Sequence, residues 1–141
     1  MIKSFTNKYQ FLSNFYNGDD LVIFYDGIWY PTVEHAYQAA KTTNQKLRKQ
    51  ISELITPQAA KKIGRALKKR KNWDNIKIGI MRTLLLEKFI GNDSLRKKLI
   101  STKFHTLVEG NTWKDAFWGV TKNGGRNELG KSLMWVRDKL I

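Results

Sequence analysis

The segment WYPTVEHAYQAAK, Trp29 to Lys41, places an acid, an imidazole, an amide and an amine within thirteen residues. On a helix that begins near Val33, at about 100° per residue, the side chains of Glu34, Gln38 and Lys41 fall within an arc of about 60°. An acid and an amine on one helical face could perform acid–base or covalent amine chemistry. The same pattern is also typical of an ordinary solvated helix face, which is the more frequent case.

The other side of this helix is made of small or branched apolar residues, which would let it pack closely against its neighbours. They are Val33, Ala36, Ala39 and Ala40. Aromatic residues also crowd the segment: Trp29, Tyr30 and Tyr37. Because a solvated helix would leave so many rings wet, their presence weakens the solvated interpretation and favours a site.

A second candidate segment is DAFWGVTKNGGRNELGKSLM, Asp115 to Met134. Its Asn123-Gly124-Gly125 loop precedes a helix that is expected to start at Asn127. Loop glycines and the first N–H groups of a helix can hold a phosphate, and Arg126 adds positive charge. A simple glycine turn before a helix explains the pattern equally well. The motif GxxxxGK[ST] is absent, which excludes a P-loop NTPase.

Two stretches mix polar side chains with aromatic rings. Asp115 stands beside Phe117 and Trp118, where the rings could stack on a base and the carboxylate could accept hydrogen bonds from a ribose. Ser13 and Asn14 lie between aromatic residues in QFLSNFY. Core rings beside a surface acid, and a polar turn between buried rings, are the alternative interpretations.

The chain is strongly basic, with a net charge of +14 and an isoelectric point near 10.1. Such an excess favours partners that carry phosphates, although it is also compatible with a role in solubility alone. The segment KKIGRALKKRKNW holds seven lysines or arginines between positions 61 and 71, followed by Trp73. It predicts either a phosphate-contacting edge with a stacking ring or a solvated helix face.

Composition excludes several classes of chemistry. There is no cysteine, so disulfides and thiolate catalysis are excluded, and His35 and His105 are too few for a histidine-rich metal site. No apolar run approaches the length of a membrane span, and the N-terminus lacks the apolar core of a signal peptide. We therefore expect a single cytoplasmic domain over residues 1–141, with no metal, no cofactor and no membrane contact.

The pattern along the chain predicts an α+β, helix-rich fold with a small N-terminal hairpin. LVIFYDGIWY, residues 21–30, predicts two strands around the Asp26-Gly27 turn. Five residues are predicted as helix N-caps: Thr32, Thr56 (followed by Pro57), Asp74, Asp93 and Asn127. Two apolar stripes have helical spacing: Ile76, Ile80, Leu84 and Leu85, then Leu129, Leu133, Val136 and Leu140.

Taken in order, these pieces resemble the NADAR or YbiA-like family over nearly the whole chain. No single piece is decisive, but the ordered set is specific. It consists of FLSNF (11–15), WYPTVEHAYQAAK (29–41), IGR (63–65), RKNW (70–73), MRTLLLEKF (81–89), LVE (107–109), DAFWG (115–119) and GRNELGKSLM (125–134). The loop from Val120 to Arg126 is shorter than the family pattern, which could alter the leaving group that fits.

The resemblance implies an N-glycosidase, which cleaves the bond between a ribose and an amine nitrogen. One family branch acts on phosphorylated ribosylamino-pyrimidine intermediates of riboflavin synthesis, and another removes ADP-ribose from guanine in nucleic acid. The resemblance also implies that Glu34, Trp73, Asp115 and Trp118 are site residues, with Lys41 as the catalytic amine.

Resemblance and residue chemistry together predict a site. The catalytic residues are expected to be Glu34, Lys41 and Asp115. The substrate-binding residues are expected to be Ser13, Asn14, Phe15, His35, Gln38, Trp73, Trp118, Gly119, Gly125, Arg126 and Asn127. Lys41 would form a Schiff base with the opened ribose, or alternatively would only bind phosphate while Glu34 activates water.

The high positive charge favours ADP-ribosylated guanine in DNA as the substrate, with the ADP-ribose moiety as the bound ligand. Three alternatives stay open: the riboflavin intermediates, a non-catalytic module that binds ADP-ribose or NAD, and a basic nucleic-acid-binding protein without a pocket. Sequence does not distinguish DNA from RNA, and a monomer is the default expectation for the oligomeric state.

Overall fold

A two-stranded antiparallel hairpin and six α-helices form the computed structural model, which describes residues 1–141. The strands are β1 (Ile23–Tyr25) and β2 (Ile28–Tyr30). The helices are α1 (Val33–Ala40), α2 (Gln45–Ser52), α3 (Pro57–Ala66), α4 (Trp73–Ile90), α5 (Asp93–Ser101) and α6 (Glu128–Leu140). The predicted α+β, helix-rich class is confirmed. None of these helices combines the length and apolar character needed to cross a bilayer.

The hairpin forms where the sequence predicts it. Ile23 pairs with Tyr30 and Tyr25 with Ile28, so the chain reverses through Asp26 and Gly27. Both turn residues have positive φ, 47° and 87°, as the tight hairpin turn that suits twisted strands requires. The hairpin thereby delivers the chain directly to the start of α1.

Helix α1 is the central element, because all eight of its residues are buried. Thr32 caps it as predicted, accepting a hydrogen bond from the His35 backbone N–H at 3.1 Å. The helix packs against α2, α3, α4 and the two strands. Its alanine face lets these neighbours approach closely, and its polar face is consequently shut inside the molecule.

The other predicted caps have mixed outcomes. Thr56 caps α3 through the Ala59 N–H, as expected. The Asp93 prediction is wrong by one residue, because the side chain of Asn92 caps α5 instead. Asp74 is not a cap either: α4 starts at Trp73, and Asp74 lies in its first turn.

Asn127 occupies the N-cap position of α6, but with a left-handed backbone and without a capping bond from its side chain. Two elements were not predicted at all, helix α2 and a short 3-10 helix over Asn7–Leu12. Both predicted apolar stripes are confirmed. The stripe residues on α4 and α6 are buried in, or packed against, one continuous core.

The segment between α5 and α6 contains no regular helix and is held by pairing with the start of the chain. The Ile2 N–H donates to the Thr106 carbonyl at 2.8 Å, and the Val108 N–H donates to the Ile2 carbonyl at 2.9 Å. The Gly110 N–H continues the pattern to the Lys3 carbonyl at 3.1 Å. The start of the chain therefore pairs with residues 106–110 in the wall that presents position 109.

Gly64 provides a test of the contact between α1 and α3. A Cβ at this position would overlap Oε1 of Gln38 and lie 2.9 Å from its Cβ. Because Gln38 is itself buried, we expect Gly64→Ala to reduce the free energy of unfolding by about 1–3 kcal/mol, as overpacking commonly does. Denaturant unfolding at neutral pH measures the change.

Gly79 on α4 is the matched control, since nothing lies within 4 Å of the position its Cβ would take. There the higher helix propensity of alanine should raise stability by about 0.5–1 kcal/mol. If the two alanine variants shifted stability in the same direction, the close approach of α3 to Gln38 would not be the limiting contact.

Candidate active site

A cavity of about 390 Å³ opens beside α1, within the range of ordinary small-molecule sites. Five parts of the chain supply its walls: the turn 13–15, helix α1, helix α3, helix α4 and the segment 109–118. The lining residues are Ser13, Asn14, Phe15, Glu34, Tyr37, Gln38, Lys41, Lys61, Arg65, Met81, Glu109, Trp113, Asp115 and Trp118. Eight of the predicted site residues are among these.

The polar face of α1 forms the floor of the cavity, so its acid, amide and amine do not face bulk water. Nε2 of Gln38 donates to Oε2 of Glu34 at 2.6 Å. The Glu34 backbone N–H donates to the Asn14 carbonyl at 3.0 Å, which attaches the turn 13–15 to the helix start. The frequent interpretation of such a pattern, a solvated face, is therefore wrong here.

Glu34 is 7% exposed, and this burial raises the pKa of its carboxyl. The hydrogen bond from Gln38 and the charges of Lys61 and Lys41 oppose the increase, whereas Asp115 adds to it. A carboxyl in such surroundings exchanges protons closer to neutral pH than one in water. These are the properties that a general acid–base requires.

Lys41 ends α1 and is 9% exposed. Burial lowers the pKa of its ammonium group, and the positive charges of Lys69 and Arg65 lower it further, against the opposing effect of Glu34. None of the salt bridges in the structure involves Lys41. Its Nζ lies 5.6 Å from the ring centre of Tyr37. The amine is thus shifted towards its neutral, nucleophilic form.

Asp115 lines the cavity, but one of its carboxylate oxygens is already hydrogen-bonded to the backbone. Oδ1 accepts the backbone N–H groups of Phe117 at 3.1 Å and Trp118 at 2.9 Å. The carboxylate therefore shapes the aromatic segment that follows it. Trp118 in turn meets the Tyr37 ring edge-on at 5.4 Å, which completes an aromatic side of the cavity.

Glu109 is a cavity residue that the sequence-based prediction missed. Its Oε2 is buried without a hydrogen-bond partner. Burial raises the pKa of this carboxyl to about 8, with the negative charges of Asp115 and Glu34 adding to the effect. At neutral pH it is a hydrogen-bond donor rather than an anion. The only signal in the sequence was its place in the LVE motif.

The remaining missed residues are Tyr37, Lys61, Arg65, Met81 and Trp113. Lys61 and Arg65 belong to the basic segment, for which a phosphate-contacting edge and a solvated helix face were both open. Their place in the cavity wall favours the phosphate-contacting edge. Lys62 and Lys68, from the same segment, are exposed.

The structure corrects the prediction of substrate contact for two aromatic residues, which lie behind the cavity wall. The imidazole of His35 is fully buried: its Nδ1 is 2.7 Å from Oγ1 of Thr32, and its Nε2 donates to the Leu54 carbonyl at 2.9 Å. Trp73 is buried at the start of α4 and packs against the Tyr37 ring at 5.4 Å. Both side chains support the site from outside it.

The predicted phosphate loop also needs correction, because the N–H groups at the start of α6 are already bonded. The N–H groups of Arg126, Asn127, Glu128 and Leu129 donate to the carbonyls of Ala116, Gly119, Phe117 and Trp118 at 2.7, 3.2, 3.1 and 2.9 Å. These four donors are therefore not available to a phosphate. These bonds hold the aromatic segment against the helix instead.

The side chains and glycines of that loop have structural contacts as well. Arg126 forms a salt bridge with Glu128 at 2.8 Å. Asn127 accepts from the Glu109 N–H at 3.0 Å and donates to the Leu107 carbonyl at 2.9 Å. Gly119 and Gly125 allow close approach of neighbouring backbone, where a Cβ would overlap a carbonyl oxygen. All four predicted binding residues therefore lie outside the cavity and brace its wall.

The NADAR domain family matches residues 2–141, and the chain belongs to this family. It is 42% identical over 118 residues to the N-glycosidase YbiA of Shigella boydii, covering 82% of this chain and 73% of that protein. It is 37% identical over 133 residues to a riboflavin biosynthesis protein of Vibrio vulnificus, covering 92% of this chain but 35% of that longer protein.

A solved structure agrees with this assignment. The NMR structure of the Escherichia coli protein YbiA superimposes with a TM-score of 0.84 at 37% sequence identity. The match covers 99% of this chain and 82% of that one. The fold and the sequence therefore both place the chain in the NADAR family, and the family assignment that the ordered motifs predicted is confirmed.

The carboxyl of Glu109 predicts an unusual dependence of stability on pH. Its pKa rises from about 4.5 in the unfolded chain to about 8 in the folded one, so between these values only the unfolded state loses the proton. The group's contribution to stability therefore falls as pH rises through this window. We expect Glu109→Gln to gain stability relative to wild type by about 3–4 kcal/mol more at pH 8 than at pH 5, because each pH unit within the window is worth about 1.4 kcal/mol.

Denaturant unfolding at several pH values between 5 and 8 measures this difference. Glu53→Gln is the control, because Glu53 is exposed at the end of α2. It should shift stability equally little at every pH. A Glu109→Gln effect that does not change with pH would contradict the burial of an uncharged carboxyl at this position.

Proposed function

We propose that this chain is an N-glycosidase that removes ADP-ribose from ADP-ribosylated guanine in DNA, using a Schiff base on Lys41. The observation that carries the proposal is the pairing of Glu34 and Lys41 on one buried face of α1, at the floor of a cavity. Burial moves the pKa of each group towards neutral pH, upwards for the acid and downwards for the amine. A module that only binds ADP-ribose has no need of both groups.

The relatives support the activity class. The proteins from Shigella and Escherichia coli carry the name N-glycosidase YbiA. Their likeness extends over 82% of this chain. An N-glycosidase must stabilise a ribose that loses its nitrogen substituent, and a cavity with several carboxyls and an amine offers groups for that task.

The first step of the proposed reaction opens the ribose. The substrate is a glycosylamine, with C1 bonded both to ring oxygen O4 and to an exocyclic nitrogen of the base. The nitrogen lone pair forms a C1–N double bond as the C1–O4 bond breaks, and Glu34 delivers its proton to O4. The product is an open-chain iminium whose C1 is electrophilic. The protonated Glu34 that burial favours is the form this step requires.

In the second step the neutral amine of Lys41 adds to C1. A proton passes from this nitrogen to the base nitrogen through the Glu34 carboxylate, and the C1–N bond to the base breaks. The released base leaves as a neutral amine, and the sugar remains as an imine of Lys41. Water then adds to C1, the bond to Lys41 breaks, and the sugar closes again through O4. Glu109, protonated at neutral pH, can donate a hydrogen bond to the sugar throughout.

Direct hydrolysis is the rival path within the same site. In that path Glu34 activates a water molecule and Lys41 only attracts a phosphate. Lys41→Arg separates the two, because a guanidinium keeps the charge but does not form an imine at neutral pH.

Charge supports DNA as the carrier of the modified base. Two cations of α3, Lys61 and Arg65, line the cavity, and the lysines that follow them along the chain are exposed. With a net charge of +14, such a surface would attract a polyanion far more strongly than a single metabolite. The ADP-ribose diphosphate would lie on the Lys61 and Arg65 side of the cavity.

A second candidate substrate is a ribosylamino-pyrimidine phosphate. The observation that favours it is the likeness to a relative whose name is riboflavin biosynthesis protein. This substrate also carries ribose on an exocyclic amine, so the same acid and amine would cleave it. The basic edge of α3 would then have only one phosphate to bind.

An oligonucleotide that bears ADP-ribose on one guanine tests the proposed chemistry. Wild type should release ADP-ribose, and Glu34→Gln should lower kcat by about 100- to 10,000-fold, because it removes the proton donor. Lys41→Arg should abolish turnover and covalent trapping. Borohydride should reduce the wild-type intermediate to a stable adduct on Lys41, detected by peptide mass spectrometry.

Lys62→Arg is the matched control for Lys41→Arg, since Lys62 is exposed on α3 and does not line the cavity. It should retain full turnover and the Lys41 adduct. An active Lys41→Arg enzyme without any adduct would establish direct hydrolysis. A wild-type protein that binds ADP-ribose without turnover of either substrate would establish the binding module.

The dependence of the reaction on salt distinguishes the two candidate substrates. Release of ADP-ribose from the oligonucleotide should fall steeply as the concentration of NaCl rises from 50 to 200 mM, because several phosphates are contacted at once. Cleavage of a ribosylamino-pyrimidine phosphate should depend on salt much less. Faster turnover of the pyrimidine substrate, with a flat salt dependence for both, would move the assignment to riboflavin intermediates.

A further inference from the structure

Trp113 is the exposed aromatic residue at the mouth of the cavity. Its side chain is 55% exposed, although it belongs to the cavity lining. The other two lining aromatics of the same wall and floor, Trp118 and Tyr37, pack against each other and leave little ring surface free. Nothing in the reaction at C1 of the ribose uses Trp113, so its exposed ring face calls for another explanation.

The loop that carries Trp113 is tied at both ends. Nδ2 of Asn111 donates to the Asp115 carbonyl at 2.9 Å, and the Asp115 N–H donates back to Oδ1 of Asn111 at 3.0 Å. Between them Lys114 has a left-handed backbone, with φ of 65°. These contacts close a small loop with Trp113 at its tip. The indole is thus held at the rim in advance, which reduces the entropy lost on stacking.

A cation stands next to the ring. Nζ of Lys61 lies 5.9 Å from the ring centre of Trp113 and 5.8 Å from that of Phe15, so it sits between two aromatic side chains. Arg65 lies one turn further along α3 and also lines the cavity. An aromatic face flanked by positive charge matches a nucleotide, whose base can stack while its phosphate meets the cation.

We propose that Trp113, with Lys61 beside it, forms a subsite that stacks the nucleobase next to the modified guanine in single-stranded DNA. The inference rests on the proposed function, since it requires the modified guanine to occupy the cavity. Stacking on a protein ring requires a neighbouring base that is free of its own duplex stack. A single strand provides such a base, and stacking is tolerant of its identity because every base has an aromatic face.

Trp29 offers a matched control for the tryptophan. It is 60% exposed, but it lies on β2, away from the cavity lining, and its ring packs against Phe24 at 4.7 Å. Replacing it removes an exposed indole of the same chemistry without touching the rim. Differences between the two alanine variants therefore report on position and not on the loss of a surface tryptophan.

The experiment compares two substrates for wild type, Trp113→Ala, Trp113→Phe and Trp29→Ala. One is a single-stranded oligonucleotide with ADP-ribose on a central guanine, and the other is ADP-ribosylated guanosine without flanking nucleotides. We expect Trp113→Ala to raise KM for the oligonucleotide roughly tenfold more than KM for the nucleoside. Trp113→Phe should restore most of the loss, and Trp29→Ala should match wild type. Abasic sites on both sides of the modified guanine should reproduce the loss in wild type.

An equal effect of Trp113→Ala on both substrates, or no effect on either, would overturn the stacking subsite while leaving the glycosidase intact. If wild type releases ADP-ribose from neither substrate, the proposed function fails. In that case fluorescence anisotropy with an unmodified, labelled single strand still decides the inference. Affinity that falls roughly tenfold in Trp113→Ala and not in Trp29→Ala supports stacking of a single-stranded base on Trp113 at a site without glycosidase activity, and equal affinities refute the stacking subsite altogether.

Discussion

The burial of the polar face of α1 is the constraint on which the rest of the molecule depends. A helix with an acid, an amide and an amine on one face ordinarily turns that face to water. Here α2, α3, α4 and the hairpin surround the helix, so the polar face must find its partners inside the fold. The Glu34 carboxyl accepts a hydrogen bond from the Gln38 amide, and the Asn14 carbonyl accepts one from the Glu34 backbone N–H, which attaches the turn 13–15 to the start of the helix. The cavity is the space that this arrangement leaves open.

Burial and neighbouring charges of like sign shift the pKa values of the ionisable groups in the cavity. The negative charge of Asp115 raises the pKa of Glu34, and the charges of Asp115 and Glu34 raise that of Glu109, so the protonated form of each glutamate is favoured. The positive charges around Lys41 act on it in the same sense, towards the neutral amine. Desolvation is the largest contribution in each case. A site built in this way raises the pKa values of two carboxyls and lowers that of an amine within one cavity.

A buried lysine on α4 holds the turn 13–15 in place. Lys88 on α4 is completely buried, and its Nζ donates to the Ser13 carbonyl at 3.0 Å. Burial lowers the pKa of this lysine to about 7. The bond fixes the turn 13–15 against α4 while Asn14 fixes it against α1. The turn is thus held on two sides, although it belongs to no regular element of its own beyond the preceding 3-10 helix.

Local signals made much of the fold predictable. The hairpin turn and the caps at Thr32 and Thr56 depend on a few adjacent residues, and all three were predicted correctly. The N-caps of α4 and α5 were misplaced at Asp74 and Asp93. The residues at the N-cap positions are asparagines one or two places earlier, and asparagine and aspartate have similar N-cap preferences, so the local pattern does not distinguish them. Helix α2 was missed because its polar sequence QKLRKQIS shows little apolar periodicity beyond Leu47 and Ile51.

The part of the candidate site that depends on local sequence was also predictable. Glu34, Gln38 and Lys41 share a face by helical geometry alone, whereas the burial of Glu109 arises from contacts that no local pattern contains. The phosphate-binding interpretation of the loop before α6 was wrong because the N–H groups of residues 126–129 donate to carbonyls of residues 116–119. Which donors remain free after folding is a property of the tertiary structure.

The pairing of Ile2 and Lys3 with residues 106–110 has a consequence for folding during synthesis. The wall that carries Glu109 is held by the beginning of the chain on one side and by Asn127 on the other. A nascent chain that has left the ribosome only as far as α5 already contains Glu34 and Lys41, but it has no closed chamber around them. Such contacts between distant parts of the sequence form late in folding. A fragment that ends before residue 106 therefore contains Glu34 and Lys41 but lacks the wall that carries Glu109, Trp113, Asp115 and Trp118.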